Sequence, residues 1–165
     1  EKCRIANQAH GERNFHIFYC MLAGISQEER HKLELRDAEH YIYLTQGECI
    51  TCEGRDDMKE FADIRRAMKV TGFVDQEVWD VLMVLAALLH LGNIQYMTLE
   101  QKNIDDVSVI QEMSHVRNAT SLLKVQPQNL VDALTRRTLV ARNETITTAL
   151  PIEDARNVRD AFTKG

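Results

Sequence analysis

The sequence is 165 residues long, enough for one ordinary domain, and its 44% apolar and 27% charged content is typical of a globular chain rather than a disordered one. With 20 basic and 25 acidic residues its formal charge is -5, and no run of Lys and Arg is long enough to follow a phosphate backbone, which argues against nucleic acid as a partner. The longest apolar stretch, residues 81–91, is too short to span a bilayer, so no membrane insertion is expected.

The composition favours a mainly α-helical chain. Only seven Gly and two Pro stand among many Leu, Ala, Glu, Lys and Arg residues, which is too few turn formers for a sandwich or barrel. The chain opens on Glu1 with no initiator Met, signal peptide or transit segment, and we therefore expect it to be a segment of a longer polypeptide.

In the first third of the chain, residues 12–23 predict a helix whose apolar side chains cover more surface than one stripe, which indicates burial on several sides. Ser26 and Glu29 have the spacing of a capping box, which predicts a short solvated helix that reaches Leu33. Residues 41–44 favour a short extended segment, and Gly47 and Gly54 bracket an irregular one.

The middle of the chain predicts two longer helices. The first begins at Asp57 and ends before Gly72, with an apolar stripe formed by Met58, Phe61, Ile64 and Met68. The second begins at Asp75, ends at Gly92 and is predicted to be the core helix. Its apolar face comprises Val78, Val81, Leu82, Leu85, Leu88 and Leu89.

Beyond the core helix, residues 97–106 lose periodicity and predict an exposed loop. A helix around residues 119–123 follows, and Pro127 suits the first turn of the next one. Residues 138–141 and 145–150 are β-prone runs that predict a hairpin-like excursion from the helical body. Pro151 is predicted to occupy the first turn of the last helix.

Chemistry-bearing motifs are scarce. The sequence has no phosphate loop, dinucleotide fingerprint or nucleophile elbow. The adjacent acidic pairs at 28–29, 56–57 and 105–106 are interpreted as solvated or capping groups, and His16 as a packed or hydrogen-bonded histidine rather than a ligand or base. We therefore predict no catalytic residue, no cofactor-binding residue and no metal ligand in this chain.

The cysteines allow two interpretations. Cys49 and Cys52 have the two-residue gap of a zinc or redox pair, but a structural zinc needs two further ligands, and His31 and His40 are not arranged as a second pair. Ordinary reduced cysteines, buried or half-buried, are the favoured interpretation for all four.

Four motifs resemble one family. Residues 11–19 (GERNFHIFY) resemble the ERN[FY]H[IV]FY stretch of myosin motor domains, and residues 1–5 (EKCRI) are similar to the EKSRV that precedes it. Residues 85–93 (LAALLHLGN) and 158–164 (VRDAFTK) are similar to two later family motifs, the second being RDALAK. The motifs follow the family's order, and residues 49–55 with 67–70 are most similar to class VII unconventional myosins.

The resemblance implies that residues 1–165 are part of a myosin motor domain, from its upper 50-kDa region. The implied fold is a mainly α-helical fragment of the P-loop NTPase-type motor with a short β-hairpin-like loop that faces actin. In the family, the P-loop and switch I precede EKSRV and switch II follows RDALAK, so the fragment itself is expected to hold no cofactor and to be inactive. Mg-ATP would bind elsewhere in the parent motor.

The resemblance also implies an actin-binding surface. Residues 137–150 resemble the family's cardiomyopathy loop, and residues 96–107 resemble its loop 4. In myosins the residue sixteen positions before the Asp of DALAK is acidic or phosphorylatable, and Glu144 stands there. The alternative is that Glu144 is only a polar residue at a turn tip. The implied actin-binding residues are Arg142, Asn143, Glu144 and Thr145 in the first loop and Glu100, Gln101, Lys102 and Asn103 in the second.

The implied partners are the actin filament and the remainder of the myosin motor domain, and the implied location is cytoplasmic, on the actin cytoskeleton. The parent would hydrolyse ATP to move on actin. The competing hypothesis is a stand-alone helical protein-interaction domain without ATPase activity. A phosphate loop upstream and a DIxGFE-like segment downstream would distinguish the motor from that domain.

Overall fold

The computed structural model describes the backbone of residues 2–101, 104–141 and 144–165, and their side chains except those of 99–101, 104–106, 141 and 144. This part of the chain is mainly helical, with two small antiparallel sheets. The helices are α1 (His16–Gly24), α2 (Gln27–Lys32), α3 (Ile42–Thr45), α4 (Asp57–Val70), α5 (Asp75–Gly92), α6 (Ser114–Leu123), α7 (Pro127–Thr135) and α8 (Ile152–Lys164), with short 3-10 turns at Lys2–Ile5 and Ala38–His40. The strands are β1 (Tyr96–Gln101), β2 (Ile104–Ile110), β3 (Arg136–Ala141) and β4 (Glu144–Ala149).

The predicted capping box of α2 is confirmed. The Ser26 hydroxyl accepts a hydrogen bond from the Glu29 backbone N–H at 3.2 Å, and the Glu29 carboxylate accepts one from the Ser26 backbone N–H at 3.1 Å. Two orphan donors of the first turn are thereby satisfied, which allows so short a helix to begin here. The helix ends at Lys32, close to the predicted end.

The bounds of α1 and the apolar stripe of α4 differ from prediction. Helix α1 begins at His16 rather than Glu12, because Arg13 and Asn14 use their side chains to bind other segments. In α4, Phe61 is buried but Met58 is 62% exposed, so the face that meets α1 is narrower than predicted. A Cβ on Gly24 would lie only 2.6 Å from the Phe61 ring, so a glycine lets these helices approach closely.

Helix α5 is confirmed as the core helix. Its buried residues contribute to both hydrophobic clusters of the described chain. The first cluster joins α5 to α1, α3 and α4, and the second joins the end of α5 to β1, α6, α7 and α8. One part of the predicted apolar face is wrong, since Val81 is exposed together with its neighbour Val84.

The prediction of an extended segment at residues 41–44 is wrong. These residues form the end of a 3-10 turn and the helix α3. A distant side chain caps this helix, because Asn93 Oδ1 accepts a hydrogen bond from the Ile42 N–H at 2.8 Å. Tertiary contact therefore overrides the β propensity of the Tyr and Ile side chains.

The prediction of an exposed loop at residues 97–106 is also wrong. Strands β1 and β2 pair antiparallel through this region, with Tyr96 opposite Ile110 and Met97 opposite Val109. Tyr96 is buried while Met97 is exposed, which is the two-residue alternation of a half-buried strand. Lys102 and Asn103 lie outside the described residues.

The predicted hairpin at residues 138–150 is confirmed. Strands β3 and β4 pair antiparallel from Arg136 opposite Ala149 to Ala141 opposite Glu144. Pro127 is in the first turn of α7, as predicted. Pro151 instead precedes α8 as its N-cap residue, so the helix begins one residue later than predicted.

Candidate functional site

The two β-hairpins start from a common base. The Ser108 N–H of β2 donates to the Leu150 carbonyl at 3.0 Å, and the Leu150 N–H donates to the Thr135 carbonyl at 2.8 Å. Leu150 is itself buried in the second hydrophobic cluster. The segments that resemble loop 4 and the cardiomyopathy loop are thus held together at one end.

The β3–β4 hairpin is exposed on both faces. Leu139 is 48% exposed, Val140 76% and Ile146 50%. Leu139 lies opposite Ile146, and Thr138 lies opposite Thr147 with their hydroxyl oxygens 3.3 Å apart. These three apolar side chains belong to neither hydrophobic cluster of the described chain, so they contribute little to its core.

The predicted contact residues that the structure describes lie at the ends of the hairpins remote from this base. Thr145 is exposed in β4 opposite Val140, and the backbone of Glu144 pairs with Ala141. Glu100 and Gln101 belong to β1, where the register shifts between Leu99 and Gln101. Arg142, Asn143, Lys102 and Asn103 fall outside the described residues. Their contact with actin stays a prediction.

The first family motif stabilises α3. The Asn14 side chain donates to the Ile5 carbonyl at 2.9 Å and to the Tyr43 carbonyl at 2.8 Å. The Tyr19 hydroxyl donates to the Leu44 carbonyl at 3.1 Å and accepts from the Asn14 N–H at 3.0 Å. Buried carbonyls left without such donors would each cost about 1 to 3 kcal/mol.

The last family motif anchors α8 to the same place. The Tyr43 hydroxyl donates to Asp160 Oδ1 at 2.6 Å, and burial together with this hydrogen bond raises the pKa of Tyr43 to about 12. Arg159, which is buried, pairs with Asp160 at 2.8 Å and donates to the Ile94 carbonyl at 2.8 Å. Because β4 leads directly into α8, these contacts position the base of the β3–β4 hairpin.

The third motif meets α3 through a glycine. A Cβ on Gly92 would lie 2.4 Å from the Tyr43 ring, so only glycine allows the end of α5 to pack there. We call α3 and the side chains that bind it, Asn14, Tyr19, Asn93 and Asp160, the α3 junction. The motifs that carried the family resemblance therefore converge in space, although they are far apart in the sequence.

The remaining sequence interpretations have mixed outcomes. All four cysteines are free; Cys20 is buried and Cys49 half-buried, as favoured, but Cys3 and Cys52 are exposed. His16 is exposed on α1, so the prediction of a packed side chain is wrong. Glu29 and Asp56 cap helices, as predicted.

Asp57, interpreted only as a solvated or capping group, instead forms a two-point ion pair with the buried Arg13, at 3.2 and 2.5 Å. Sequence reasoning missed this pair because its members are 44 positions apart.

The described helices and hairpins define the structural class of this chain. It is a helical scaffold with a buried polar junction that positions two antiparallel hairpins, one of them exposed on both faces. The myosin head (motor domain) family model matches residues 1–165. The chain belongs to the myosin motor domain family.

Curated relatives agree with this assignment. Myosin-VIIa of Drosophila melanogaster is 52% identical over 165 residues, which cover 100% of this chain and 8% of that protein. Unconventional myosin-VIIb of Mus musculus is 44% identical over 165 residues, again 100% of this chain and 8% of the relative. Unconventional myosin-Ic of Rattus norvegicus is 36% identical over 165 residues, 99% of this chain and 15% of the relative. The resemblance to class VII myosins is thereby confirmed, and the chain spans only a small part of its relatives.

None of the described helices combines the length and the apolarity that crossing a membrane requires.

Proposed function

We propose that this chain is a segment of an unconventional myosin that moves on actin filaments by hydrolysing ATP, and that it contributes part of the actin-binding surface. The observation that carries the proposal is the β3–β4 hairpin, which exposes Leu139, Val140 and Ile146 on a base fixed by buried contacts. Family membership supports this function over a stand-alone interaction domain.

The finer assignments belong to the same proposal. Residues 1–165 would come from the upper 50-kDa region of a P-loop NTPase-type motor, with the actin filament and the remainder of the motor domain as partners. Mg-ATP would bind in the parent motor outside this chain, since the sequence has no phosphate loop. The location would be the cytoplasmic actin cytoskeleton.

Glu144 is the residue that tests the actin-binding part. A fixed carboxylate there would supply the negative charge that a kinase provides in some myosins. In the complete motor, Glu144→Lys should weaken actin affinity severalfold, mainly through a slower association rate that depends on salt, because an exposed charge pair contributes only about 0.2 to 1 kcal/mol. Glu144→Asp should be nearly silent, and basal ATPase activity should change little.

A matched control is Glu53→Lys, which makes the same charge change at an exposed position between α3 and α4. The measurement is actin-activated ATPase activity and actin association at two ionic strengths. Equal actin dependence of the Lys and Glu motors at low salt would contradict a role for Glu144. A larger loss of basal hydrolysis than of actin activation would instead assign Glu144 to the fold.

A further inference from the structure

A cleft separates the two β-hairpins beyond their common base. It has a volume of about 420 Å³ and is lined by β2 on one side, by β4 on the other and by α7 along one wall. The hydrogen bond from the Ser108 N–H to the Leu150 carbonyl joins the hairpins at the base of the cleft. Beyond this bond, β2 and β4 belong to two separate sheets. Ser108 and Ile110 of β2 face the same space as Thr147 and Ala149 of β4.

The edge of β2 that lines the cleft has open backbone groups. In an antiparallel pair, residues that exchange hydrogen bonds alternate with residues whose N–H and C=O point away from the partner strand. The Gln111 N–H bonds to the Gln95 carbonyl, which fixes this alternation along β2. The N–H and C=O groups of Ser108 and Ile110 therefore point away from β1. Of these four groups, only the Ser108 N–H has a backbone partner in the described part of the chain.

The edge of β4 that lines the cleft has the same property. The Leu150 N–H bonds to the Thr135 carbonyl, so these two residues form a hydrogen-bonded pair in the register of β3 with β4. By the same alternation, the backbone groups of Thr147 and Ala149 point away from β3. Both residues are exposed. Two strand edges therefore present backbone donors and acceptors to one space.

The size of the cleft suits one extended segment of polypeptide. The rise per residue, the spacing of strands and the spacing of sheets give each residue of a strand about 160 Å³. The cleft therefore has room for about three residues. An extended main chain carries donors and acceptors along both of its edges, so it can bond to β2 and β4 at once. A small molecule with one or two polar groups would leave most of the open backbone groups unpaired.

The lining of the cleft also defines the side chains of its occupant. Met113 and Val131 are half-buried apolar residues of the wall. Asp132 and Arg136 also line the cleft, but they pair with each other at 3.4 Å and so present no net charge. An uncharged segment complements such a lining, and β-branched residues fit best on a pleated, half-buried surface.

We propose that the cleft between β2 and β4 binds an extended, uncharged segment of a partner protein by strand addition. About three residues of this segment join the two hairpins into one continuous sheet. Main-chain hydrogen bonds to both edges supply the affinity, and the apolar wall selects the side chains. This site does not depend on the proposed contact of the hairpin tips with actin.

A capped, fluorescein-labelled peptide of about five alternating valine and threonine residues is the probe, since it spans the cleft with a margin at each end. Its fluorescence anisotropy should rise saturably with the concentration of the complete motor. The same peptide with alternate amide nitrogens methylated keeps its side chains but lacks the donors for one edge, and it should bind at least about tenfold more weakly. Exchange of the amide hydrogens in residues 107–111 and 145–150 should slow when the unmethylated peptide binds.

Thr147→Pro and Thr138→Pro are a matched pair of variants. The two threonines lie opposite each other, and the N–H of each points away from the partner strand, so proline removes no hydrogen bond within the hairpin at either position. Thr147 lies on the edge that lines the cleft, whereas Thr138 lies on the other edge of the hairpin. Thr147→Pro should lower peptide affinity by about tenfold, because one donor is lost and the ring fills part of the cleft. Thr138→Pro should leave the affinity unchanged.

Gln128→Trp is a second test, which leaves the hairpin unaltered. Gln128 is exposed on α7 and lines the cleft, and its exposed neighbour Asn129 does not line it. Gln128→Trp should block peptide binding, and Asn129→Trp should not. Strand addition is overturned if the unmodified motor shows no saturable binding at millimolar peptide, or if the methylated peptide binds equally well. Equal losses of affinity in the two tryptophan variants would also overturn it, since the peptide would then lie outside the cleft.

Discussion

Two histidines meet between α5 and α6. His90 Nε2 lies 3.1 Å from the Leu33 carbonyl and must donate to it, so Nδ1 of the neutral ring is an acceptor. His115 Nδ1 lies 3.3 Å from that atom and can donate its proton. The pair is satisfied when both rings are neutral, and a proton added to each ring would place two N–H groups against one another.

Burial lowers the pKa of both histidines, and this predicts acid lability. For His90, the hydrogen bond to the Leu33 carbonyl opposes this lowering of the pKa, His115 adds to it and Glu34 opposes it; for His115, Glu112 opposes the lowering and Arg36 adds to it. A depressed folded-state pKa means that the unfolded chain binds more protons. Stability is therefore unaffected above the unfolded value of about 6.5 and falls as the pH drops below it.

His115→Gln tests this origin of the lability. Melting temperature should fall less between pH 7.5 and pH 5.5 in the variant than in the unmodified motor, because one of the two coupled rings is gone. His10→Gln is the control, since His10 is exposed and pairs with the exposed Glu48, away from His90 and His115. An identical pH dependence in the His115 variant and the unmodified protein would show that other groups cause the acid loss.

At the scale of single elements, we expect apolar residues of the β3–β4 hairpin to contribute more to binding affinity than to folding stability. Leu139 and Ile146 face each other across the hairpin and are each about half exposed, so they add little to the hydrophobic core. Covering the remaining surface of both side chains on a partner is worth about 1 kcal/mol each. The pair should therefore matter more for the filament complex than for the fold.

The double substitution Leu139→Ser with Ile146→Ser should weaken actin affinity of the complete motor by roughly tenfold or more, with melting temperature almost unchanged. Cosedimentation with actin measures the first quantity. Val70→Ser, at a more exposed apolar residue that ends α4, is the matched control and should leave actin affinity unchanged. A hairpin variant that binds actin normally would mean that this apolar pair lies outside the interface.

The elements predicted from sequence and those missed differ in where their stabilising contacts come from. Helices α5 and α7 and the β3–β4 hairpin carry their signals locally, as periodicity, a first-turn proline and paired β-prone runs. Helix α3 was missed because its cap comes from Asn93, 51 positions away. The β1–β2 hairpin was missed because polar residues interrupt its strands and hide the alternation.

Predicting functional residues from the sequence has the same limit, since contacts between distant residues leave no local pattern. The hairpin residues came from the family resemblance, and their contact with actin stays a prediction; of these residues, Thr145 lies exposed in β4. The contacts of the Cys20 thiol with the carboxylates of Asp57 and Glu60 likewise have no local signal, because these residues are 37 and 40 positions away and are brought together by the packing of α1 on α4. Side chains far apart in the sequence cannot be paired without the fold.

At the scale of the whole molecule, the two long apolar segments differ in how completely this chain buries them. The high apolar content of residues 15–22 and 81–91 predicts that both segments need partners outside this chain. Phe18 to Leu22 are instead buried within it, which corrects that expectation for the first segment. Val81 and Val84 are exposed on α5, and the need for a partner at this segment stays a prediction.

The isolated 165-residue chain should show no saturable binding of Mg-ATP at micromolar concentrations and no actin-activated ATPase activity. The physical reason is that the backbone cradle and lysine that hold phosphates in P-loop enzymes are not encoded in it. Isothermal titration calorimetry of the chain with Mg-ATP checks this, with the complete motor as the positive control. Heat that saturates with one nucleotide per chain would refute the prediction.

The α3 junction also constrains the order of folding. Tyr43 binds Asn14 and Asp160, which are 29 and 117 positions away, so the few residues of α3 close loops of very different length. Contacts of high sequence separation form late, because the entropy of loop closure must be overcome first. During synthesis the Tyr43 hydroxyl has no carboxylate to bind until Asp160 has left the ribosome. Until then the first hydrophobic cluster, which contains Tyr43, lacks its contact with α8. A ribosome that pauses before α8 would leave this part of the cluster exposed to chaperones or proteases.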